Sequence, residues 1–266
     1  MNHIVRYGLS FNPFVKTGKE SLIETSEYKE VVFRLDYLMQ VKGFGVITGD
    51  PGLGKTTAVI NWVNTLSPNS TKVIYLPLST LSVNDAYRQL CLSFNCEPHY
   101  KKSANFAEIQ SAIRRLSLEK RITPVIIMDE ANYMSKSFLN DLKMLFNFDM
   151  DSKDLAVVIL IGQSSLNSML SQRTNEAIRQ RIITSYNMEG LNQDETIAYI
   201  KKKLKSADCH IDIFNDNALK AISSYCHGNP RLISKLCNTA LLLGDTKSVS
   251  TIDEDIIMSA INELEL

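Results

Sequence analysis

The chain has 266 residues, of which 44% are hydrophobic and 22% are charged. This composition is typical of a folded globular protein and excludes a largely disordered chain. Lys plus Arg and Asp plus Glu each number 29, so the net charge is zero and any nucleic-acid site must be a local basic patch.

The first part of the chain alternates short apolar runs with longer amphipathic stretches. The apolar runs predict strands over Phe44–Thr48, Val73–Leu78, Pro124–Asp129, Ala156–Ile161 and Thr184–Met188. The amphipathic stretches predict helices over Lys55–Leu66, Val83–Phe94, Phe106–Leu118 and Leu139–Phe148. Because the strands are apolar on both faces, we expect a parallel sheet with helices on both sides, which is the α/β class.

The pattern changes after Gly190, where only helical periodicity remains. Helices are predicted over Asp194–Lys205, Asp216–Cys226, Pro230–Leu243 and Asp253–Leu264. We therefore expect two domains: an α/β core with a short N-terminal segment over residues 1–190, and a small helical lid over residues 191–266.

A glycine-rich loop separates the first predicted strand from the first predicted helix. Every required position of the phosphate-binding pattern G-x-x-x-x-G-K-[ST] is present there. In such a loop the backbone N–H groups point at phosphate oxygens. We expect Lys55 to reach the β- and γ-phosphates and Thr56 to bind Mg²⁺ through its hydroxyl. The predicted nucleotide-binding residues of this segment are Gly49, Asp50, Pro51, Gly52, Leu53, Gly54, Lys55, Thr56 and Thr57.

Two acids follow the third predicted strand. In this fold class a carboxylate at the end of a buried strand lies beside the phosphate loop. Asp129 fits the role of a Mg²⁺-organising residue, and Glu130 that of the base that positions the attacking water. In isolation the pair could equally be a strand end that meets a solvated turn. Together with the loop it predicts hydrolysis rather than phosphoryl transfer to a small molecule.

Other polar residues are candidates for completing the site. Gln163 ends the fourth predicted strand and could bind the attacking water or the γ-phosphate. Arg179 and Arg181 are two positions apart and so do not share one helix face, which leaves one of them to point at a neighbouring subunit. Arg231 could link the lid to the phosphates. Each has an alternative as an ordinary strand-end or surface residue.

Several segments resemble the AAA+ superfamily and, within it, the ExeA-type ATPases and the transposition helper ATPases of the TnsC, MuB and IstB types. The similar segments are Tyr7-Gly8-Leu9 with Asn12-Pro13-Phe14, Asp129-Glu130-Ala131-Asn132, Leu142–Phe148, Ile161-Gly162-Gln163 with Leu166, Ile178–Ile182 and Gly228-Asn229-Pro230-Arg231. Three positions depart from the family pattern, since Ser164-Ser165 replaces Pro-Glu and Lys143 replaces an arginine.

The resemblance implies further properties. It implies that the nucleotide is ATP, that Arg181 is the arginine finger donated in trans, and that Arg231 is the sensor 2 arginine. It also implies nucleotide-dependent assembly of a homo-oligomeric ring or filament, often on DNA.

The leading functional hypothesis is a DNA-associated ATPase that assembles on double-stranded DNA without sequence preference and regulates a transposase or related recombination protein. Lys101-Lys102 and Arg114-Arg115 are candidate phosphate contacts, with solvated helix faces as the alternative. Other hypotheses are an ExeA-type secretion-assembly ATPase, a replication initiator or loader of the origin-recognition type, and a nucleotide-gated scaffold with negligible turnover.

Cysteine usage and hydropathy bear on the compartment. The five cysteines are odd in number and form no C-x-x-C pair, which favours a reduced compartment. We find neither a signal-peptide pattern nor the run of roughly 18 apolar residues that spans a membrane. The sequence therefore predicts a cytoplasmic protein without a membrane partner.

Overall fold

The computed structural model of the chain describes residues 3–15, 23–77, 82–149 and 153–264. Its contacts divide the chain into two compact units. The α/β unit comprises Glu30–Pro51 and Lys55–Met188, and the helical unit comprises the described residues before Glu30, Gly52–Gly54 and those from Glu189 onward. By these contacts the described part of the N-terminal segment groups with the helical unit, and the domain boundary at residue 190 stays a prediction.

The α/β unit is built on a parallel sheet, which confirms the predicted fold class. Its strands are β1 (Gly43–Gly49), β2 (Thr71–Pro77), β3 (Thr123–Asp129), β4 (Val157–Ile161) and β5 (Ile182–Met188). Their order in the sheet is β2-β3-β4-β1-β5, and every pairing is parallel. Leu78, which the sequence assigned to the second strand, lies outside the described residues.

Burial along the strands follows their place in the sheet. Every residue of β1 and β4 is buried, whereas the edge strands β2 and β5 expose some of their residues. Central strands of a parallel sheet are covered on both faces, which explains why they read as continuous apolar runs. The carboxyl ends of the strands meet along one edge, and this edge carries the predicted phosphate loop and the two predicted acids.

The helices of the α/β unit surround this sheet. They include α3 (Lys55–Val63), α4 (Val83–Ser93), α5 (Lys102–Arg114), α6 (Lys136–Leu145), α7 (Ser165–Leu170) and α8 (Glu176–Arg179). A π-helical turn, Arg115–Glu119, continues α5. Tyr87, Ile113 and Leu139 of α4, α5 and α6 share one hydrophobic core with alternate residues of the central strands, such as Ile126 and Val158.

Four helices were not predicted: α7, α8, α1 (His3–Arg6) and the long α2 (Ser26–Val41), which joins the two units in sequence. In α2, Phe33 and Tyr37 are exposed while Val31 and Leu35 are buried. Apolar residues therefore occur on both faces of α2, and this blurs the 3.6-residue period on which helix prediction depends.

The helical unit contains four long helices close to their predicted positions: α9 (Gln193–Ser206), α10 (Asp216–Cys226), α11 (Pro230–Thr246) and α12 (Glu254–Leu264). Asn192, Asn215 and Asn229 each accept a hydrogen bond from a backbone N–H of the following helix. Such caps satisfy N–H groups that have no partner inside the helix, and they explain the sharp helix starts.

The N-terminal segment packs into the core of the helical unit. Tyr7 is fully buried, and its hydroxyl donates to the Val249 carbonyl over 3.2 Å. The buried Lys203 ammonium donates to the Pro13 carbonyl over 3.0 Å. Arg6 forms a 2.7 Å ion pair with the nearly buried Asp245. These contacts place the segment with the C-terminal helices, although it precedes the sheet in sequence.

Among the helices in the part of the chain that the structure describes, none is both long and apolar enough to cross a membrane.

Candidate nucleotide-binding site

The predicted phosphate loop connects β1 to α3. Gly49, Gly52 and Gly54 have positive φ angles of 144°, 93° and 95°. Residues with a Cβ rarely adopt these angles, so the three glycines are required by the path of the backbone. A Cβ on Gly52 would also lie 2.6 Å from the Asn229 side-chain oxygen. The loop ends at Lys55, the first residue of α3, so its N–H groups precede a helix N-terminus as phosphate binding requires.

Lys55 is held across the loop. Its ammonium donates to the Gly49 carbonyl over 2.7 Å and to the Asp50 carbonyl over 2.9 Å. An ammonium has three donors on a flexible stem, so it can exchange carbonyl oxygens for phosphate oxygens with a small movement. The contact of its ammonium with the β- and γ-phosphates stays a prediction.

Asp129 joins the loop to the end of β3. Its side chain is almost fully buried, and its Oδ2 accepts a 2.8 Å hydrogen bond from the Thr56 hydroxyl. The same oxygen accepts a 2.8 Å hydrogen bond from the Tyr75 hydroxyl, while Oδ1 accepts from the Glu130 N–H over 2.9 Å. The structure therefore brings together the two predicted metal-binding residues, which are far apart in sequence.

Tyr75 was missed by the sequence analysis. It lies on β2, whose pairing with β3 places Tyr75 opposite Ile127 and Pro77 opposite Asp129. Only knowledge of this register would have linked Tyr75 to Asp129. Burial, followed by the hydrogen bond to Asp129, raises the pKa of Tyr75 to about 12. The phenol is therefore protonated at neutral pH and remains a donor.

The residues present fit Mg²⁺ bound together with nucleotide phosphates. Thr56 and Asp129 offer a hydroxyl and a carboxylate, which are hard oxygen ligands of the kind Mg²⁺ prefers. Across the described ranges, no group of three or more His, Cys, Asp or Glu could hold a metal ion by itself.

Glu130 adopts a left-handed backbone conformation, with φ 54° and ψ 38°. A residue other than glycine in this region costs roughly 1–3 kcal/mol, and such strain concentrates at functional sites. The turn leaves Glu130 exposed while the adjacent Asp129 is buried. Two neighbouring carboxylates thus occupy different environments, as their different predicted roles require.

Gln163 is positioned by Asn132. The Asn132 side-chain oxygen accepts from the Gln163 N–H over 2.9 Å and would lie 2.9 Å from a Cβ on Gly162. Ser164, one of the departures from the family pattern, donates to the Asp50 side chain over 3.4 Å. These contacts tie the end of β4 to the turn after β3 and to the phosphate loop.

A second polar cluster supports the start of the loop and was also missed. The Thr48 hydroxyl is buried, accepts from the Asn167 amide over 2.8 Å and donates to the Asn187 amide oxygen over 3.0 Å. Thr48 directly precedes Gly49, so this cluster ties β1 to α7 and β5 at the point where the loop begins.

Arg181 lies away from this group. Its guanidinium donates to the carbonyls of Lys143 over 2.7 Å and Phe146 over 3.0 Å. It also forms a 3.4 Å ion pair with Asp154, and its side chain is only 11% exposed. The structure therefore does not bring Arg181 together with Lys55 and Asp129 of its own chain. Arg179, at the end of α8, is exposed.

Arg231 occupies the first turn of α11. Its backbone N–H is capped by the Asn229 side chain over 3.0 Å and lies 3.3 Å from the Gly52 carbonyl. Its side chain is exposed. A contact between its guanidinium and the phosphates remains a prediction.

The basic pairs proposed to face DNA are partly neutralised. Lys102 forms a 2.7 Å ion pair with Asp141, and Arg114 forms a 2.9 Å ion pair with Asp149. Hydrogen bonds from Arg114 and Lys153 lower the pKa of Asp149. Lys101 and Arg115 are exposed, so one member of each pair keeps an accessible side chain.

The chain is similar to known proteins. A family model described as an AAA domain matches residues 38–170. The general secretion pathway protein A of Aeromonas hydrophila is 32% identical over 243 residues, which cover 89% of this chain. The same alignment covers 44% of that relative, so the chain spans less than half of its length.

Solved structures share the fold at low identity. Cdc6p from Pyrobaculum aerophilum has a TM-score of 0.72 and 13% identity, covering 94% of this chain and 70% of that one. The Drosophila ORC bound to DNA has a TM-score of 0.72 and 16% identity, covering 98% of this chain and 66% of that one. The Thermotoga maritima RuvB Holliday junction branch migration motor has a TM-score of 0.57 and 20% identity, covering 91% of this chain and 70% of that one.

Proposed function

This chain belongs to the AAA domain family and is a P-loop ATPase, and from that premise we propose that it uses ATP and Mg²⁺ to drive a change in its own assembly. The proposed site contains Lys55 and Asp129. The observation that carries this proposal is the 2.8 Å hydrogen bond between the Thr56 hydroxyl and Asp129. This bond supports the proposal because it joins the first turn of α3, which follows the phosphate loop, to the end of β3, where the exposed Glu130 follows Asp129.

Each residue has a distinct task in the proposed hydrolysis. Lys55 offsets the charge of the β- and γ-phosphates, and Thr56 and Asp129 hold Mg²⁺, which supplies charge stabilisation to the phosphates when bound. Glu130 accepts a proton from the attacking water, and Gln163 orients that water or the γ-phosphate. Arg231 is the proposed sensor 2 arginine, with the phosphates as its proposed contact.

A neighbouring subunit completes the proposed site with an arginine, an effect worth about 10³–10⁵-fold in turnover. Arg181 is the candidate from family resemblance, but its donors are engaged by two carbonyls and Asp154. Arg179 is two residues away and exposed, so it is the alternative donor. Arg181 can act in trans only if it first leaves its own buried contacts.

The proposed partner is double-stranded DNA, bound without sequence preference, on which ATP-bound subunits form a ring or filament. The exposed Lys101 and Arg115 supply candidate phosphate contacts. The solved Drosophila ORC, which shares this fold, is bound to DNA. Recruitment of a transposase or related recombination protein is the part of the proposal supported by sequence resemblance alone.

A second candidate function is an ATPase of secretion-system assembly. It is favoured by the 32% identity to the Aeromonas hydrophila general secretion pathway protein A. In that case the nucleotide-driven change would act on protein partners, and duplex DNA would have no effect on it. A third candidate function is that of a replication initiator or loader. The likeness in fold to Cdc6p and ORC favours it.

The deciding experiment measures ATP hydrolysis and particle size in the same samples, with and without duplex DNA. ATP-dependent growth of particles on DNA, with altered turnover, supports the DNA-associated function. If hydrolysis and particle size are the same with and without DNA, the DNA-associated function is contradicted and the secretion-related one is favoured. A repeat of the DNA arm at several salt concentrations tests the phosphate contacts, because binding through phosphates weakens steeply as salt rises.

A further inference from the structure

Tyr75 and Asp129 lie on adjacent parallel strands and on the same face of the sheet. The register pairs Tyr75 with Ile127 and Pro77 with Asp129. Side chains alternate between faces along a strand, so residues two apart share a face and Tyr75 is a diagonal neighbour of Asp129. An aromatic side chain spans such a diagonal, and the 2.8 Å hydrogen bond shows that the phenol does so here.

The hydrogen bonds of Asp129 come from three different parts of the α/β unit. Thr56 belongs to α3, Tyr75 belongs to β2, and the Glu130 N–H belongs to the turn after β3. A carboxylate has about four acceptor positions, so these donors fill most of them and fix the plane of the group. The remaining position is the one open to a metal ion or to water bound to it.

From this arrangement we propose that Tyr75 is a positioning residue for the Mg²⁺ site, which the sequence motifs do not identify. Its hydroxyl fixes the orientation of Asp129, so the carboxylate does not have to be reoriented when Mg²⁺ and nucleotide bind. Removing a residue that forms a hydrogen bond with a metal ligand typically lowers metal affinity or activity by about 10–100-fold. Because Thr56 and the Glu130 N–H remain, we expect the lower end of that range.

The surroundings of Tyr75 separate this role from a role in core packing. The residue is 46% exposed, so replacing it with phenylalanine removes the hydroxyl without opening an internal cavity. The structural consequence is the loss of one hydrogen bond to Asp129. Tyr37 on α2 is a matched control, since it is a tyrosine of the same unit with 48% exposure.

The test uses the full chain as wild type, Tyr75→Phe and Tyr37→Phe. Calorimetry measures the affinity for ADP without metal and then at increasing Mg²⁺ concentrations, and unfolding temperatures verify that the variants fold. A parallel Mg²⁺ titration follows ATP hydrolysis. For Tyr75→Phe we expect an ADP affinity without metal that equals that of wild type. The Mg²⁺ concentration that gives half of the maximal change in ADP affinity should be about tenfold higher than in wild type. Tyr37→Phe is expected to match wild type.

Two outcomes would overturn the inference while leaving the metal site intact. One is a Mg²⁺ dependence of Tyr75→Phe that equals that of wild type. The other is a loss of ADP affinity in the absence of metal, which would place the phenol against the nucleotide instead. The inference also rests on the metal site proposed above. If wild-type ADP binding and hydrolysis show no Mg²⁺ dependence, that site fails, and the role of Tyr75 fails with it.

Discussion

Polar side chains are used in opposite ways at the two ends of the strands of the central sheet, which we call the carboxyl edge and the amino edge. At the carboxyl edge, Asp129 accepts a hydrogen bond from Thr56, and Lys55 donates to a loop carbonyl. Glu130 is exposed there. At the amino edge, near the starts of the strands, the Arg181 side chain is 11% exposed, and its guanidinium donates to two carbonyls and Asp154. Both regions contain charged groups in motifs that resemble a family pattern. The difference lies in the partners: Lys55 donates to carbonyls of the phosphate loop itself, whereas Arg181 donates to groups that precede β4.

The largest effect that we expect at the carboxyl edge comes from Glu130→Gln. This variant keeps the shape of the side chain and removes the base, so turnover should fall about 10²–10⁴-fold, the usual contribution of a general base. ADP affinity should stay within about twofold of wild type, because Glu130 is not proposed to hold the nucleotide. Single-turnover hydrolysis and calorimetry measure both quantities. Full activity in this variant would refute the role given to Glu130.

Lys55→Ala tests the next largest effect. A hydrogen bond to a charged group contributes about 1.5–3 kcal/mol, so the loss of the ammonium should weaken ATP binding on the order of 100-fold. The lysine donates to loop carbonyls near the surface, so the free energy of unfolding should change little. Equilibrium ATP binding is the measurement, with Lys120→Ala, an exposed lysine outside the loop, as control. An unchanged affinity would exclude Lys55 from the phosphate contacts.

Arg181→Ala sharpens the comparison between the two edges. Removing this guanidinium takes the donor away from the part-buried carbonyls of Lys143 and Phe146, so stability should fall by about 2 kcal/mol. Arg179→Ala removes an exposed side chain and should change stability by less than about 0.5 kcal/mol. Denaturant unfolding measures both effects, and turnover of the assembled protein is compared in parallel. Lower turnover with unchanged stability in Arg181→Ala would support Arg181 as the arginine donated in trans.

The smallest effect concerns the support below the phosphate loop. Asn167→Ala removes the hydrogen bond that the buried Thr48 hydroxyl accepts, and should cost about 1 kcal/mol of stability. Nucleotide affinity should change by only a few-fold, because Thr48 keeps its bond to Asn187. Chemical unfolding and ADP titration provide the two values. Ser168→Ala, an exposed neighbour on α7, is the control.

Much of the site could be predicted because its signals are local. The phosphate loop is a contiguous stretch between a strand and a helix, and Asp129 follows an apolar strand, so spacing and hydropathy were enough. The parallel sheet was predictable for the same reason, since its central strands are continuous apolar runs.

The missed features depend on contacts between distant residues. Tyr75 reaches Asp129 only because β2 pairs with β3 in one particular register. Asn132 belongs to a recognised motif, but its bond to Gln163 depends on how the ends of β3 and β4 meet. The N-terminal segment packs with the C-terminal helices through Tyr7 and Pro13, which no local pattern indicates. Periodicity and propensity do not contain such information.

The left-handed backbone of Glu130 has a consequence for protein engineering. Glycine adopts this conformation without strain, so Glu130→Gly should relieve part of the local cost at the very position proposed to activate water. A screen that rewards heat resistance alone would therefore enrich inactive proteins at this position, since added stability and catalysis demand different residues there. Selection for robust variants of this ATPase should score hydrolysis and thermal survival together.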